Sequence, residues 1–200
     1  MKETPAQSSL RQWTQGCPHA HMQITRNQAA LLAWLVQTLQ AKWIIELGVF
    51  TGYSTLTMAQ AMPKGGCLYA CDVDDQWLDI AVTHWQQAGV DDRIQFFHGF
   101  AIDKLQGWID EGMEGKVDLI FIDADKRRYP DYYAMALKLL RVGGVIIMEN
   151  ILVNGKVVRG GENSPSAQIM RDFNDNIHRD SRVRPYALPL SDGMMLLTKG

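Results

Sequence analysis

Asp123, Glu149, Asn150 and Lys126 are the residues of this chain whose types and spacing most directly suggest chemistry. Asp123-Ala124-Asp125-Lys126 closes one apolar run, VDLIFID, and Glu149-Asn150 closes the next, GVIIME. The side-chain oxygens of Asp123, Glu149 and Asn150, with no sulfur or imidazole among them, suit Mg²⁺, Mn²⁺ or Ca²⁺ and not structural zinc. Such a set leaves an octahedron room for two substrate oxygens and a water. A lysine beside a bound cation is biased toward its neutral form, so Lys126 is placed to act as a base. Acids after strands are ordinary in loops. It is the conjunction of the two clusters that points to catalysis.

A second group of residues lies nearer the N-terminus. Glu46-Leu47-Gly48-Val49-Phe50-Thr51-Gly52-Tyr53-Ser54 follows the apolar run WIIEL. Two glycines permit a tight turn and a close backbone approach to a ligand. The helix expected to start at about Tyr53 would offer free N–H groups to an anion, helped by the Ser54 hydroxyl. The spacing is G-x-x-x-G and not the G-x-G-x-x-G of dinucleotide binders, so no pyrophosphate is called for. Any strand-to-helix turn can hold two glycines, and that plain reading stands beside the functional one. Asp72 ends the next apolar run, 24 positions past Gly48, where a carboxylate can accept both hydroxyls of a ribose. Its plain alternative is a solvated acid at a strand end. A ribose-bearing cofactor without pyrophosphate, its amino-acid carboxylate at a helix N-terminus, describes S-adenosylmethionine.

These residues can meet only if the backbone delivers them to one edge. Short apolar runs at 43–47, 67–73, 94–98, 117–123 and 144–149 alternate with helix-length stretches at 53–61, 75–88, 101–111 and 130–141. That alternation predicts crossover connections and a parallel sheet covered on both faces. Helices are also expected over 25–40 and 165–178. RPYALPL and GMMLLTK, joined around Ser191-Asp192-Gly193, read as an antiparallel hairpin. The predicted fold is a Rossmann-like, doubly wound α/β sheet of seven strands, mostly parallel with a C-terminal antiparallel hairpin. Such sheets bind ligands beyond the carboxyl ends of their strands. Residues 1–21 read as a loose N-terminal arm, 22–200 as one cofactor-binding domain, and RGGENSPS (159–166) as a surface loop.

The bulk numbers exclude several classes. Lys plus Arg number 20 against 22 Asp plus Glu, a formal net charge of −2, which argues against a nucleic-acid partner. No apolar run approaches the roughly 18 residues of a membrane span. The polar start MKETPAQSSLRQW lacks a signal-peptide core. Cys17, Cys67 and Cys71 have no framework spacing and fit reduced thiols, so a cytoplasmic location is expected. Cys67 and Cys71 read as packing residues. Cys17-Pro18-His19-Ala20-His21 groups three soft ligands but reads first as a polar entry loop. Arg127-Arg128 reads as a solvated charge run or as a greeting for an anionic substrate group. Trp34, Trp77, Trp85 and Trp108 read as helix-packing residues.

Taken in order and at family spacing, ELGVFTGYSTL, CDVD, FIDADKRRYPDYY, LLRVGG, ENILVNGKVV, RDFN and LPLSDGMMLLTK resemble the caffeoyl-CoA/catechol O-methyltransferase family from about Met22 to Lys199. The resemblance implies Asp123, Glu149 and Asn150 as metal ligands and Lys126 as general base, with Asp123 also catalytic. It implies a cofactor site lined by Glu46, Gly48, Ser54, Asp72, Ala101, Asp123 and Asp125, with Met22 and Ile24 at its entrance. It further implies methyl transfer from S-adenosylmethionine to a small aromatic hydroxyl, and a homodimer. The chain departs from the family at Glu149, where aspartate is usual, at Ala29-Ala30 in place of Gly-Gln, and at Leu152-Val153 in place of Leu-Trp. Two rival readings are methylation of RNA or another macromolecule, and a cofactor-binding module that has lost its metal.

Overall fold

The computed structural model describes residues 2–158 and 164–200, so residues 159–163 of the expected surface loop lie outside the described residues. The chain divides into two compact units, Met1–Phe100 and Ala101–Gly200. Seven strands form among the described residues, in the mixed, mostly parallel arrangement expected.

The first unit runs α1 (Pro5–Thr14), α2 (Arg26–Leu39), β1 (Trp43–Leu47), α3 (Tyr53–Ala61), β2 (Cys67–Asp72), α4 (Leu78–Gln87) and β3 (Ile94–His98). Its strands lie in the order β3-β2-β1, all parallel. Ile44, Ile45, Leu47, Leu68 and Ala70 are fully buried. Burial of successive residues, and not of alternate ones, marks strands covered on both faces.

The expected loose arm is instead built around helix α1. Thr4 accepts from the Gln7 backbone N–H, the Gln7 side chain accepts from the Thr4 N–H, and Pro5 occupies the first turn. This capping box satisfies helix-end donors that would otherwise need water. The helix packs on α3 and α4 and buries Gln7, Leu10 and Thr14. Two of those three are polar, which is why the stretch lacks an apolar period. Thr25 and Gln28 form the same box ahead of α2. Trp34 on α2 is 56% exposed and is not a packing residue, whereas Trp85 and Trp108 are buried.

The second unit runs α5 (Ala101–Asp110), β4 (Val117–Ile122), α6 (Tyr129–Leu139), β5 (Leu140–Met148), α7 (Pro165–Ile177), β6 (Val183–Leu188) and β7 (Met194–Lys199). Strand order is β4-β5-β7-β6, with β4 and β5 parallel and β7 antiparallel to both its neighbours. Strand β5 begins four residues before the expected start. Val117 pairs with Leu140 and Leu119 with Val145, so the intervening glycine-containing stretch bulges out of the ladder. After it, Ile122 pairs with Met148, and both strands end in register.

Candidate active site

In the first unit the cofactor candidates gather where β1 turns into α3. Glu46 is fully buried, and its Oε2 accepts from the Thr55 hydroxyl at 2.5 Å. The backbone then takes positive φ at Gly48 (93°), Phe50 (50°) and Gly52 (82°). Three such residues in five demand support, because phenylalanine adopts this region only under constraint. Asp72 supplies it: its Oδ2 accepts from the Val49 N–H at 2.7 Å and the Phe50 N–H at 3.0 Å. Gly48 N–H donates to the Cys71 carbonyl, and the Trp85 indole N–H to the Gly52 carbonyl. A Cβ at Gly52 would lie 2.8 Å from that of Ala81, so the position is closed to larger residues.

The fit to an S-adenosylmethionine-like ligand can be judged from this donor set. A carboxylate offers about four lone-pair positions. Three of Asp72's are engaged by the N–H groups of Val49, Phe50 and Asp74, the last bonding Oδ1 at 3.1 Å. Acceptor capacity for a ribose hydroxyl therefore remains on Oδ1. Ser54 lies in the first turn of α3, 7% exposed, among N–H groups that have no intrahelical acceptor. Ahead of α2, Met22 is 53% exposed while Ile24 is buried.

In the second unit the chemical candidates gather at the ends of β4 and β5. Glu149 N–H donates to the Ile122 carbonyl at 3.1 Å, which continues the strand register into the acidic residues. Lys126 Nζ lies 2.8 Å from Asp123 Oδ1, with both side chains about one-fifth exposed. Asp125 caps the short turn Lys126–Arg128 by accepting from the Arg127 N–H. Glu149 is 3% exposed, and Asn150 follows with a left-handed φ of 54°. Ala101 opens α5, buried, also in this unit.

Tyr129 supports the candidate site and was missed by sequence reasoning. Fully buried, its hydroxyl lies 3.1 Å from the Ile122 carbonyl and 3.0 Å from the Glu149 carbonyl, tying the two strand ends together. Its ring lies beneath Lys126, with Nζ 5.2 Å from the centroid. Burial first, and then the Asp123 and Glu149 carboxylates, push its phenol well above the ordinary range, so it stays a donor. The sequence places it three residues after Lys126, but that spacing does not reveal the two carbonyls it meets. Asp192 was expected only as a turn residue, yet it accepts from the N–H groups of Asn154 and Gly155 and so holds the segment after Asn150.

The oxygen donors of Asp123, Glu149 and Asn150 suit a hard cation. No cluster of three or more His, Cys, Asp or Glu side chains arranged to hold a metal occurs among the described residues. The Cys17, His19 and His21 side chains form no such cluster either, and the three cysteines are free thiols. No helix among the described residues is long and apolar enough to cross a membrane.

A family model described as O-methyltransferase matches residues 1–200. A probable caffeoyl-CoA O-methyltransferase of Dictyostelium discoideum is 41% identical over 198 residues, covering 98% of this chain and 86% of the relative. A catechol O-methyltransferase of Niastella koreensis is 38% identical over 178 residues, covering 86% of this chain and 80% of the relative. The crystal structure of an O-methyltransferase from Bacillus cereus in complex with SAH superposes with a TM-score of 0.87 at 32% identity, covering 100% of this chain and 93% of that one.

Proposed function

This chain belongs to the O-methyltransferase family, and from that membership we propose that it transfers a methyl group from S-adenosylmethionine to a hydroxyl of a small, catechol-like aromatic acceptor. The observation that carries the proposal is the Lys126–Asp123 pair, 2.8 Å apart at the end of β4. The pair sets an amine beside an oxygen donor at a strand end; the carboxylate by itself favours the ammonium, and a cation taking up that carboxylate would favour the free amine that a base requires. Relatives named for caffeoyl-CoA and catechol support the acceptor class, and the SAH-bound Bacillus cereus structure supports the cofactor.

In this reading Asp72 binds the ribose, while Ser54 and the first amides of α3 receive the methionine carboxylate. Glu46, Gly48, Met22, Ile24, Ala101, Asp123 and Asp125 complete the cofactor's surroundings. Asp123, Glu149 and Asn150 would hold a divalent cation, Mg²⁺, Mn²⁺ or Ca²⁺, whose charge favours the ionised form of an acceptor hydroxyl. Lys126 Nζ, once it has lost its own proton, takes the proton of the attacking hydroxyl. The oxygen then displaces sulfur at the methyl carbon, giving a methyl ether and S-adenosylhomocysteine. Asp123 fixes the amine, and alignment of the reacting atoms is the main catalytic contribution. By family resemblance the working form would be a homodimer, which sedimentation would test, and the free cysteines accord with a reducing cytoplasm.

The test is turnover of a simple catechol with S-adenosylmethionine, before and after exhaustive chelation and after return of Mg²⁺ or Mn²⁺. Loss and recovery are expected. Full activity in protein shown to be metal-free would remove the cation from the mechanism, and no methylation under any metal would remove the acceptor class.

A further inference from the structure

Helix α1 carries polar contacts that the function above does not use. Beginning at its N-terminal side, the Glu3 carboxylate accepts from the Tyr53 hydroxyl at 2.5 Å and from Arg11 at 2.7 Å, and it pairs with Arg26 at 3.1 Å. Gln7 donates to the Thr57 hydroxyl at 3.0 Å, and the Thr4 hydroxyl to Gln60 at 3.1 Å. These bonds align α1 along α3, the helix whose first turn begins at Tyr53. At the other end, the Thr14 and Thr51 hydroxyls lie 2.9 Å apart, both residues buried. Thr14 Oγ1 is also 2.8 Å from the Leu10 carbonyl. A hydroxyl has one hydrogen, so both contacts are satisfied when Thr51 donates to Thr14 and Thr14 donates to Leu10.

Thr51 stands between Phe50 and Gly52, the two adjoining positive-φ residues of the glycine turn. Asp72 holds the turn through the amides that precede Thr51, and Trp85 holds it through the Gly52 carbonyl. The Thr51 side chain is held from α1. A second contact runs the same way: the Trp13 ring meets Trp77 edge-on at 5.8 Å, and Trp77 meets Phe50 edge-on at 6.2 Å. A turn in a sparsely populated conformation keeps its shape only where its surroundings over-determine it.

We propose that α1 is a strut for the cofactor turn, and that Thr14 is a positioning residue for S-adenosylmethionine binding, acting through Thr51 without touching the ligand. The proposal rests on the reading that this turn receives the cofactor. Without the Thr14 hydroxyl, Thr51 keeps its place in the chain but loses the partner that fixes it, and the strained turn samples other shapes. Cofactor affinity then falls because the competent shape is only partly populated.

The experiment measures S-adenosylhomocysteine affinity by calorimetry for the parent, Thr14→Val and Thr14→Ser, with ligand-free melting temperatures alongside. Thr14→Val conserves shape and removes the hydroxyl; it should weaken binding by about tenfold, the size of one lost hydrogen bond. Thr14→Ser restores the hydroxyl and should bind within about twofold of the parent, since the same bond is re-formed. If Thr14→Val does not fold, Thr14→Ala replaces it in the same comparison. A hydroxyl-free variant that melts lower yet binds like the parent would overturn the positioning role and leave Thr14 as a packing residue. A Thr14→Ser variant as weak as Thr14→Val would overturn it too. A parent that fails to bind S-adenosylhomocysteine would bring down the functional reading itself, and this proposal with it.

Discussion

Asp72 is a carboxylate that holds the fold and, in the proposed function, would also bind the ligand. The sequence offered it as a ribose acceptor or a solvated acid at a strand end, but its Oδ2 already holds two amides of the glycine turn. Charge-assisted bonds of this kind contribute about 1.5–3 kcal/mol each, less in a half-exposed setting. Asp72→Ala should therefore lower ligand-free stability in chemical denaturation as well as weaken S-adenosylhomocysteine binding; unchanged stability would show that the turn is self-supporting. Glu149 raises the opposite question, because its carbon chain is one methylene longer than the family's aspartate and its side chain is buried. Mg²⁺ demands short, near-octahedral bonds, whereas larger ions tolerate a displaced or bidentate carboxylate. Glu149→Asp should raise Mg²⁺-supported activity relative to Mn²⁺, and Glu149→Ala should lose most metal affinity by calorimetry. A Glu149→Ala protein that binds metal and turns over like the parent would take Glu149 out of the ligand set.

Between residues and the chain stand the elements that carry them. Tyr129 opens α6, yet its hydroxyl clips the ends of β4 and β5. Tyr129→Phe keeps the ring under Lys126 and should cost about 1–2 kcal/mol in denaturation, because a buried carbonyl loses its donor. No loss would mean that water takes the hydroxyl's place. Helix α1 gives a pH prediction. The Arg11 guanidinium, followed by the Tyr53 hydroxyl, holds the Glu3 carboxyl below the ordinary glutamate range, against the opposing effect of burial. A lowered folded value means the stabilisation is complete above the ordinary glutamate range and is lost as pH falls through the folded value. The stability gap between parent and Glu3→Gln should shrink as the solution is acidified below pH about 4.3. A gap that stays constant would show that the Glu3 charge does not support α1. The elements themselves were legible in proportion to their apolar content. WIIEL and IQFFH became β1 and β3 residue for residue, since a β-rich run bounded by turns has few other uses. The start of β5 was hidden because Leu140 and Arg141 fell within the stretch expected as helix, and the glycine-containing stretch after them bulges out of the ladder. α1 was hidden because its docking face is polar, although Thr4-Pro5-Ala6-Gln7 carried the capping signal.

At the scale of the whole molecule, the candidate residues were legible because strand ends are where this class of sheet presents side chains. What supports them was not. Tyr129, Thr14, Thr55 and Asp192 act through hydrogen bonds to residues distant in sequence, and spacing alone records no such partners. The polar docking of α1 has a consequence in time. A segment that buries little apolar surface opens on its own, well before the chain unfolds, and its amides exchange with solvent through that opening. Deuterium should therefore enter Pro5–Thr14 far sooner than it enters β4, whose residues from Leu119 to Ile122 are sealed from water. Coupling is reciprocal: if a docked α1 helps a ligand bind the turn, the bound ligand must lengthen the intervals between openings. Saturating S-adenosylhomocysteine should slow exchange in α1, a helix that lies outside the proposed cofactor site, and exchange there that ignores the ligand would mean the helix and the turn keep separate clocks.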